Sequence, residues 1–312
     1  MNTKTKIWIA LLALYIVWGS TYLAIRFAVE TIPPFMHASI RFLISGAILF
    51  LWRRSAGDPV PTTSNWKSAA IVGTLLLLGG NGLVALAEKT IPSGIAALVI
   101  STSPFWLVLF ESLRAGGTKP NWQSILGLII GFSGVFILIG PADITGSGQH
   151  LDTASVIMLL TAPFLWSLGS IYARGADMPK STLMSTGMQM LAGSVSLFIV
   201  SVLTGELSGF SFSQVSANSW WGLIYLITFG SLIGFVSYGY LLHNAPVSLT
   251  STYAYVNPVV AVFLGWLLAN EELNARIGIA SAIIIGSVIF INVTRQMSAP
   301  RKVEQLVPEE IE

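Results

Sequence analysis

The chain contains no cysteine, so disulfides, thiolate metal sites and cysteine nucleophiles are all excluded. Charge is scarce as well. Only 10% of the 312 residues are Asp, Glu, Lys or Arg, against about 25% in a soluble domain. So few charges cannot cover a water-facing globule of this size, and lipid is the expected solvent. The three histidines, His37, His150 and His243, are too scattered for a metal-ligand spacing. No phosphate-binding loop, HExxH, GxSxG or nucleotide fingerprint occurs. Neither metal nor cofactor is expected, and ATP-driven transport by this chain alone is not. A net charge of +2 gives no reason to expect a nucleic-acid partner.

What the sequence has instead is apolar length. Hydrophobic residues make up 54% of it, and mean hydropathy is +0.74. A spanning helix needs about 20 mostly apolar residues. Ten stretches qualify: 7–29, 35–53, 66–87, 93–114, 121–140, 153–173, 181–204, 219–242, 248–269 and 275–294. The first follows Lys4 and Lys6, as a signal peptide would. Its apolar run is longer than a signal core and no small-residue cleavage site follows, so it reads as a retained span. Turn chemistry separates the stretches, at Pro33-Pro34, Gly57-Asp58-Pro59, Ile91-Pro92, Gly116-Gly117, Gly146-Ser147-Gly148, Asp177-Met178-Pro179 and Ala245-Pro246. With the N-terminus placed in the cytoplasm, twelve Lys and Arg fall on the inner side. Only Lys89 and Arg276 fall outside, while Arg26 and Arg41 lie within spans. This bias predicts an even number of spans and two cytoplasmic termini.

The two halves of the chain match. At an offset of 148, Trp18, Arg26 and Arg41 fall on Trp166, Arg174 and Gln189. At an offset of 154, Trp66, Thr74, Gly80, Pro92 and Pro104 fall on Trp220, Thr228, Gly234, Pro246 and Pro258. Each unit holds five spans, an odd number, so the second must enter the membrane from the opposite face. The expected fold is all-α, with ten transmembrane helices in two inverted five-helix repeats, 1–147 and 148–295. Residues 296–312 read as a cytoplasmic tail without fixed structure. Inverted repeats are a common plan of secondary transporters, with the ligand site near the midplane.

The WGSTYLAIR opening and the proline-centred fourth and ninth helices resemble the drug/metabolite transporter superfamily. The segment VNPVVAVFLGWLLANEELNARIGIASAIIIGSVIF is similar to the closing signature of its EamA branch, with Pro258, Glu271 or Glu272, and Gly278. The first half has Pro104 and Gly127, but its acidic residue, Glu111, comes earlier. The resemblance spans about residues 7 to 295. It implies an exporter of amino acids or other metabolites, or a relative carrying nucleotide-sugars or sugar phosphates. Two intramembrane arginines are few for the second class.

Candidate substrate-binding residues follow from cost. An arginine at membrane depth costs at least ~2.5 kcal/mol, so it faces a cavity or a partner. Arg41 reads either as a ligand or gating group for a carboxylate or phosphate, or as a bridge between packed helices. Arg26 reads as a ligand or as a chain reaching the headgroups, and Arg174 as a topology charge. Gln189 is the second-half counterpart of Arg41 and is a candidate with it. Asn81, within Gly79-Gly80-Asn81-Gly82, reads as a hydrogen-bonding group or a packing contact. Trp18, Tyr22, Trp106, Trp166, Tyr172, Tyr238 and Tyr255 lie away from the interfacial belts, so a pocket or a tight core must hold their polar tips. Pro104 and Pro258 read as hinges or as static kinks, with Ser101, Thr102, Ser103 and Asn257 beside them to satisfy carbonyls or to face a solute. Gly127-x-x-x-Gly131 and Gly230-x-x-x-Gly234 read as packing seams. Carboxylates are sparse near the spans, which weakens a central proton relay but leaves coupling through Glu88 open.

The expectation is therefore a secondary transporter of a bacterial inner membrane, not an enzyme. It would export a small amino-acid-like solute by alternating access, as monomer or homodimer. An integral-membrane lipid-modifying enzyme is the rival from another class. It would need acid, base or metal-ligand groups near the interface, and the few present are dispersed.

Overall fold

The computed structural model describes residues 2–114, 119–140, 151–245, 247–250 and 252–298. The expected breaks at Gly116-Gly117 and Gly146-Ser147-Gly148, Pro246, and the chain from residue 299 lie outside these. The fold is all-helical among the described residues. Ten helices follow in order: α1 Thr3–Ala28, α2 Pro34–Ser55, α3 Thr63–Ala87, α4 Ser93–Leu113, α5 Trp122–Ile139, α6 Thr153–Ala173, α7 Thr182–Leu203, α8 Ala217–Leu241, α9 Tyr253–Ala269 and α10 Ala275–Ser298. A single turn, Val247–Thr250, precedes α9. Nine of these are long and apolar enough to cross a membrane, and α9 is a shorter apolar helix. The expected spans are thus found within a few residues. Helix α10 runs to Ser298, a little past its expected end.

The starts of the helices explain themselves in two ways. Asn2, Thr62, Asn121, Asp152, Ser181 and Ser216 each accept a hydrogen bond from the first-turn backbone, as N-caps do. Helices α2 and α4 begin after Pro33 and Pro92, which have no capping side chain. Distant carboxylates serve instead. Glu206 accepts from Phe35 N (3.2 Å) and Met36 N (2.9 Å). Glu271 accepts from Ser93 N (2.7 Å) and Gly94 N (3.0 Å). A carboxylate there also meets the positive end of the helix dipole. Helix α9 ends on Asn270 in the left-handed region (φ 51°), a conformation asparagine tolerates. In the loop after α2, Arg53 donates to both Asp58 oxygens (2.6 and 3.0 Å) and holds that carboxyl below the usual range.

The packing is symmetric under exchange of α1–α5 for α6–α10. Helix α2 packs on α7, α4 on α9 and α5 on α10; α1 packs on α9 as α6 does on α4; and α3 packs on α6 as α8 does on α1. Helices α3 and α8 also share a defect. Each opens into a π-helical stretch, Thr74–Gly82 and Leu226–Ile233. At the 154-residue offset, Thr74 to Gly79 fall on Thr228 to Ile233. π-Helical turns are rare and gather at functional sites.

Glycines set how close the helices come. Gly73 of α3 and Gly193 of α7 face each other backbone to backbone; a Cβ at Gly193 would stand 2.8 Å from the Gly73 carbonyl oxygen. The Gly127–Gly131 seam presses on Ile291 and Phe105. Backbone cannot yield as a flexible side chain does, so Gly193→Leu should cost roughly 3 kcal/mol or more. A melting temperature in detergent several degrees lower is the expected readout, and an unchanged one would show that the crossing is loose.

Candidate functional site

A cavity of about 190 Å³ opens between α1, α2, α3, α4, α6, α8 and α9. Helices α5, α7 and α10 do not line it. Along α1 the wall is Trp18, Thr21, Tyr22 and Ile25, one helical face; along α9 it is Tyr253, Ala254, Asn257 and Pro258, another.

Arg41 reaches this cavity from α2 and is only 4% exposed. Its Nε donates to Ser231 Oγ of α8 (3.0 Å) and its guanidinium carbon lies 4.7 Å from the Phe42 ring centroid. It takes part in none of the ion pairs among the described residues, which are Arg26–Glu271, Arg53–Asp58 and Arg174–Glu111. A buried guanidinium without a carboxylate partner is costly to hold.

The aromatic walls are built twice. Trp18 lies on Gly234, the residue just after the α8 π-segment, and Trp166 lies on Gly80 of the α3 π-segment, where an added Cβ would stand 2.8 Å from the indole. These are the same pair under the two repeat offsets. The Trp18 indole donates to the Gly230 carbonyl (3.1 Å) and packs on Phe235 and Tyr253. Asn81 faces the cavity from the α3 π-segment, with a long bond from Nδ2 to Leu76 O (3.4 Å).

The prolines occupy different settings. Pro104 stands at the second position of the segment Ser103–Leu113, because α4 is broken at Ser101 and Thr102. It is therefore not inside a continuous helix, as the sequence suggests. Its missing N–H leaves the Ile100 carbonyl to the Ser103 hydroxyl (2.6 Å). Ser101 and Thr102 likewise donate to Leu98 and Val99 (2.7 and 2.6 Å), so these hydroxyls tie up backbone oxygens. Pro258 is inside α9. A third proline, Pro163, lies inside α6 and lines the cavity.

Of the sequence candidates, Trp18, Tyr22, Arg41, Asn81, Ser101, Trp166, Pro104 and Pro258 share this one cavity. Arg26 lies outside it; it faces Glu271 (3.7 Å) and donates to Ile91 O (3.3 Å). Trp106 packs with Phe110, Phe132 and Phe164. Tyr172 is 41% exposed. Gln189 donates to Ser185 within α7 (3.0 Å). Tyr238 stands behind Trp18 and Tyr253, and Tyr255 packs beside Phe105 and Val288. Thr21, Pro163, Phe235 and Tyr253 are cavity residues that the sequence reading missed. Thr21 was accessible to it, since positions 18, 21, 22 and 25 recur at helical spacing.

A ten-helix apolar bundle around a part-polar central cavity is the form of a membrane carrier. The chain belongs to the EamA-like transporter family, whose model matches residues 5–140 and 153–293. It is 36% identical to the uncharacterized inner membrane transporter YedA of Escherichia coli strain K12, over 92% of this chain and 91% of that one. It is 23% identical to the uncharacterized transporter YvbV of Bacillus subtilis strain 168, over 93% and 92% of the two chains. A crystal structure 19% identical to it superposes with a TM-score of 0.63, covering 95% of this chain and 99% of that chain, and so shares the fold. The protein is a membrane transporter of the drug/metabolite superfamily.

Proposed function

We propose that this transporter exports small carboxylate-bearing metabolites, amino acids or related compounds, across a bacterial inner membrane. The single observation that carries the substrate class is Arg41, a buried guanidinium open to the cavity and without an ion-pair partner among the described residues. Its planar fork fits a carboxylate, and the Trp18, Trp166, Phe235 and Tyr253 rings offer a surface for an apolar part. Nucleotide-sugars and sugar phosphates are less well served, because among the described residues Arg41 is the one arginine or lysine on the cavity wall.

The mechanism we assign is alternating access between two inverted halves, 1–147 and 148–295. The symmetric packing, the paired π-segments and the family match over 5–140 and 153–293 support it. Both termini face the cytoplasm on the positive-inside bias. Export is the direction that the resemblance implies. The residues we assign to the solute are Trp18, Tyr22, Arg41, Asn81 and Trp166, joined by Tyr253 and Asn257, with Pro104 and Pro258 at the bending points.

Purified protein in vesicles should exchange radiolabelled L-amino acids but not the corresponding amines, which lack the carboxylate. Equal flux of both would remove the carboxylate reading. No flux of any tested solute, together with turnover of the vesicle lipid, would remove transport itself.

A further inference from the structure

Glu88 follows the last residue of α3 and is only 1% exposed. Both of its carboxyl oxygens are buried without a hydrogen-bond partner, and it joins none of the ion pairs among the described residues. It is one turn from the cavity: its N–H donates to the carbonyl of Val84, a lining residue (2.9 Å). An ionised carboxylate stripped of water and hydrogen-bond donors loses its solvation with little in return. A neutral carboxylic acid has no such difficulty. The groups around it come from several elements. Helix α1 supplies Tyr22 and Arg26, α2 supplies Arg41 with His37 beside it, and the segment after α9 supplies Glu271. Arg26 already faces Glu271 (3.7 Å). Arg41 is the cation left uncommitted.

We infer that Glu88 is a proton-binding site linked to the occupancy of Arg41, so that each carboxylate solute travels with one proton. The inference rests on the carboxylate reading of Arg41 given above. An empty cavity leaves Arg41 positive, and its field favours the ionised form of Glu88. An anion seated on Arg41 cancels that field, and Glu88 takes a proton from the water on the loading side. On the other side the solute leaves, the field returns, and the proton follows. The two move in the same direction, so a steep internal solute gradient drives protons out with the solute. Linkage also makes the effect reciprocal: protonating Glu88 tightens the hold on the solute.

The test needs no solute. Infrared difference spectra of the purified protein, taken during an acid–base titration, should show a carboxylic C=O band that persists to neutral pH. Glu88→Gln should remove it. Arg41→Gln, which removes the cavity charge as a bound anion would cancel it, should keep the band to higher pH. If Glu88→Gln fails to insert, Glu88→Asp must displace the band. A band absent from the wild type, unaltered by both Glu88 variants, or indifferent to Arg41→Gln would overturn the inference. Because flux is not measured, failure here is separate from failure of the vesicle assay with L-amino acids.

Discussion

Replacing Arg41 with alanine should cut the flux of a carboxylate solute into reconstituted vesicles by at least roughly 30-fold, with expression and insertion preserved. The figure follows from the loss of one partner of a desolvated charge pair, about 2 kcal/mol at the low end. Arg41→Lys should fall between, because lysine keeps the charge but loses the two-pronged fork. The two roles open to this arginine predict opposite effects on stability. If it were a bridge holding helices together, removing it would lower the melting temperature. It has instead one side-chain bond, to Ser231, and no carboxylate partner among the described residues. Arg41→Ala should therefore leave the apo protein as stable as the wild type, or more so, while abolishing stabilisation by solute. Unchanged flux, or loss of folding without loss of binding, would remove Arg41 from the site.

The plan of the fold was readable because lipid imposes a simple rule. Apolar runs of fixed length must be helices, and the prolines and glycines between them must be turns. The ends of α2 and α4 show where that reading stops. Pro33 and Pro92 mark both starts, but nothing local indicates that Glu206 and Glu271 would cap them from far along the chain. The site was legible in part for a related reason. Arg41 and Trp18 stand out because a charge or an indole N–H in a span demands a partner. The same logic flags Arg26, Trp106 and Tyr255, and which of these look inward depends on helix rotation. Helix rotation depends on where glycines let neighbours approach, as Gly80 and Gly234 do beneath Trp166 and Trp18. The π-segments were illegible: they add one residue to a turn and shift every later side chain, with no composition to announce them.

Two ion pairs stand where alternating access would need its latches, and breaking each should open the cavity to a different face. Arg26 and Arg174 are equivalent at the 148-residue offset. Arg26, from α1, meets Glu271 after α9 (3.7 Å); Arg174, at the end of α6, meets Glu111 of α4 (2.8 Å). The helix pairs α1–α9 and α6–α4 exchange under the repeat, although Glu111 and Glu271 are not themselves equivalent positions. On the inverted-repeat arrangement proposed above, the pairs fall at opposite faces. They differ in strength. Glu271 is 7% exposed and also caps α4, whereas Arg174 is 53% exposed and its pair is screened by water. An exposed pair contributes at most about 1 kcal/mol, and a buried carboxylate that caps a helix while facing a half-buried arginine contributes on the order of 2 kcal/mol, most of it from the cap. Because the chain has no cysteine of its own, a single cysteine placed at Thr21 on the cavity wall reports access cleanly. Glu271→Ala should raise its modification by an impermeant thiol reagent from the outer face roughly 30-fold, and Arg26→Gln should reproduce the direction of the change. Glu111→Ala should raise modification from the inner face by no more than roughly fivefold. Variants at both ends that change access from the same side would show that the pairs are not reciprocal latches. Variants that change access from neither side would show that the bundle is held shut by its apolar packing alone.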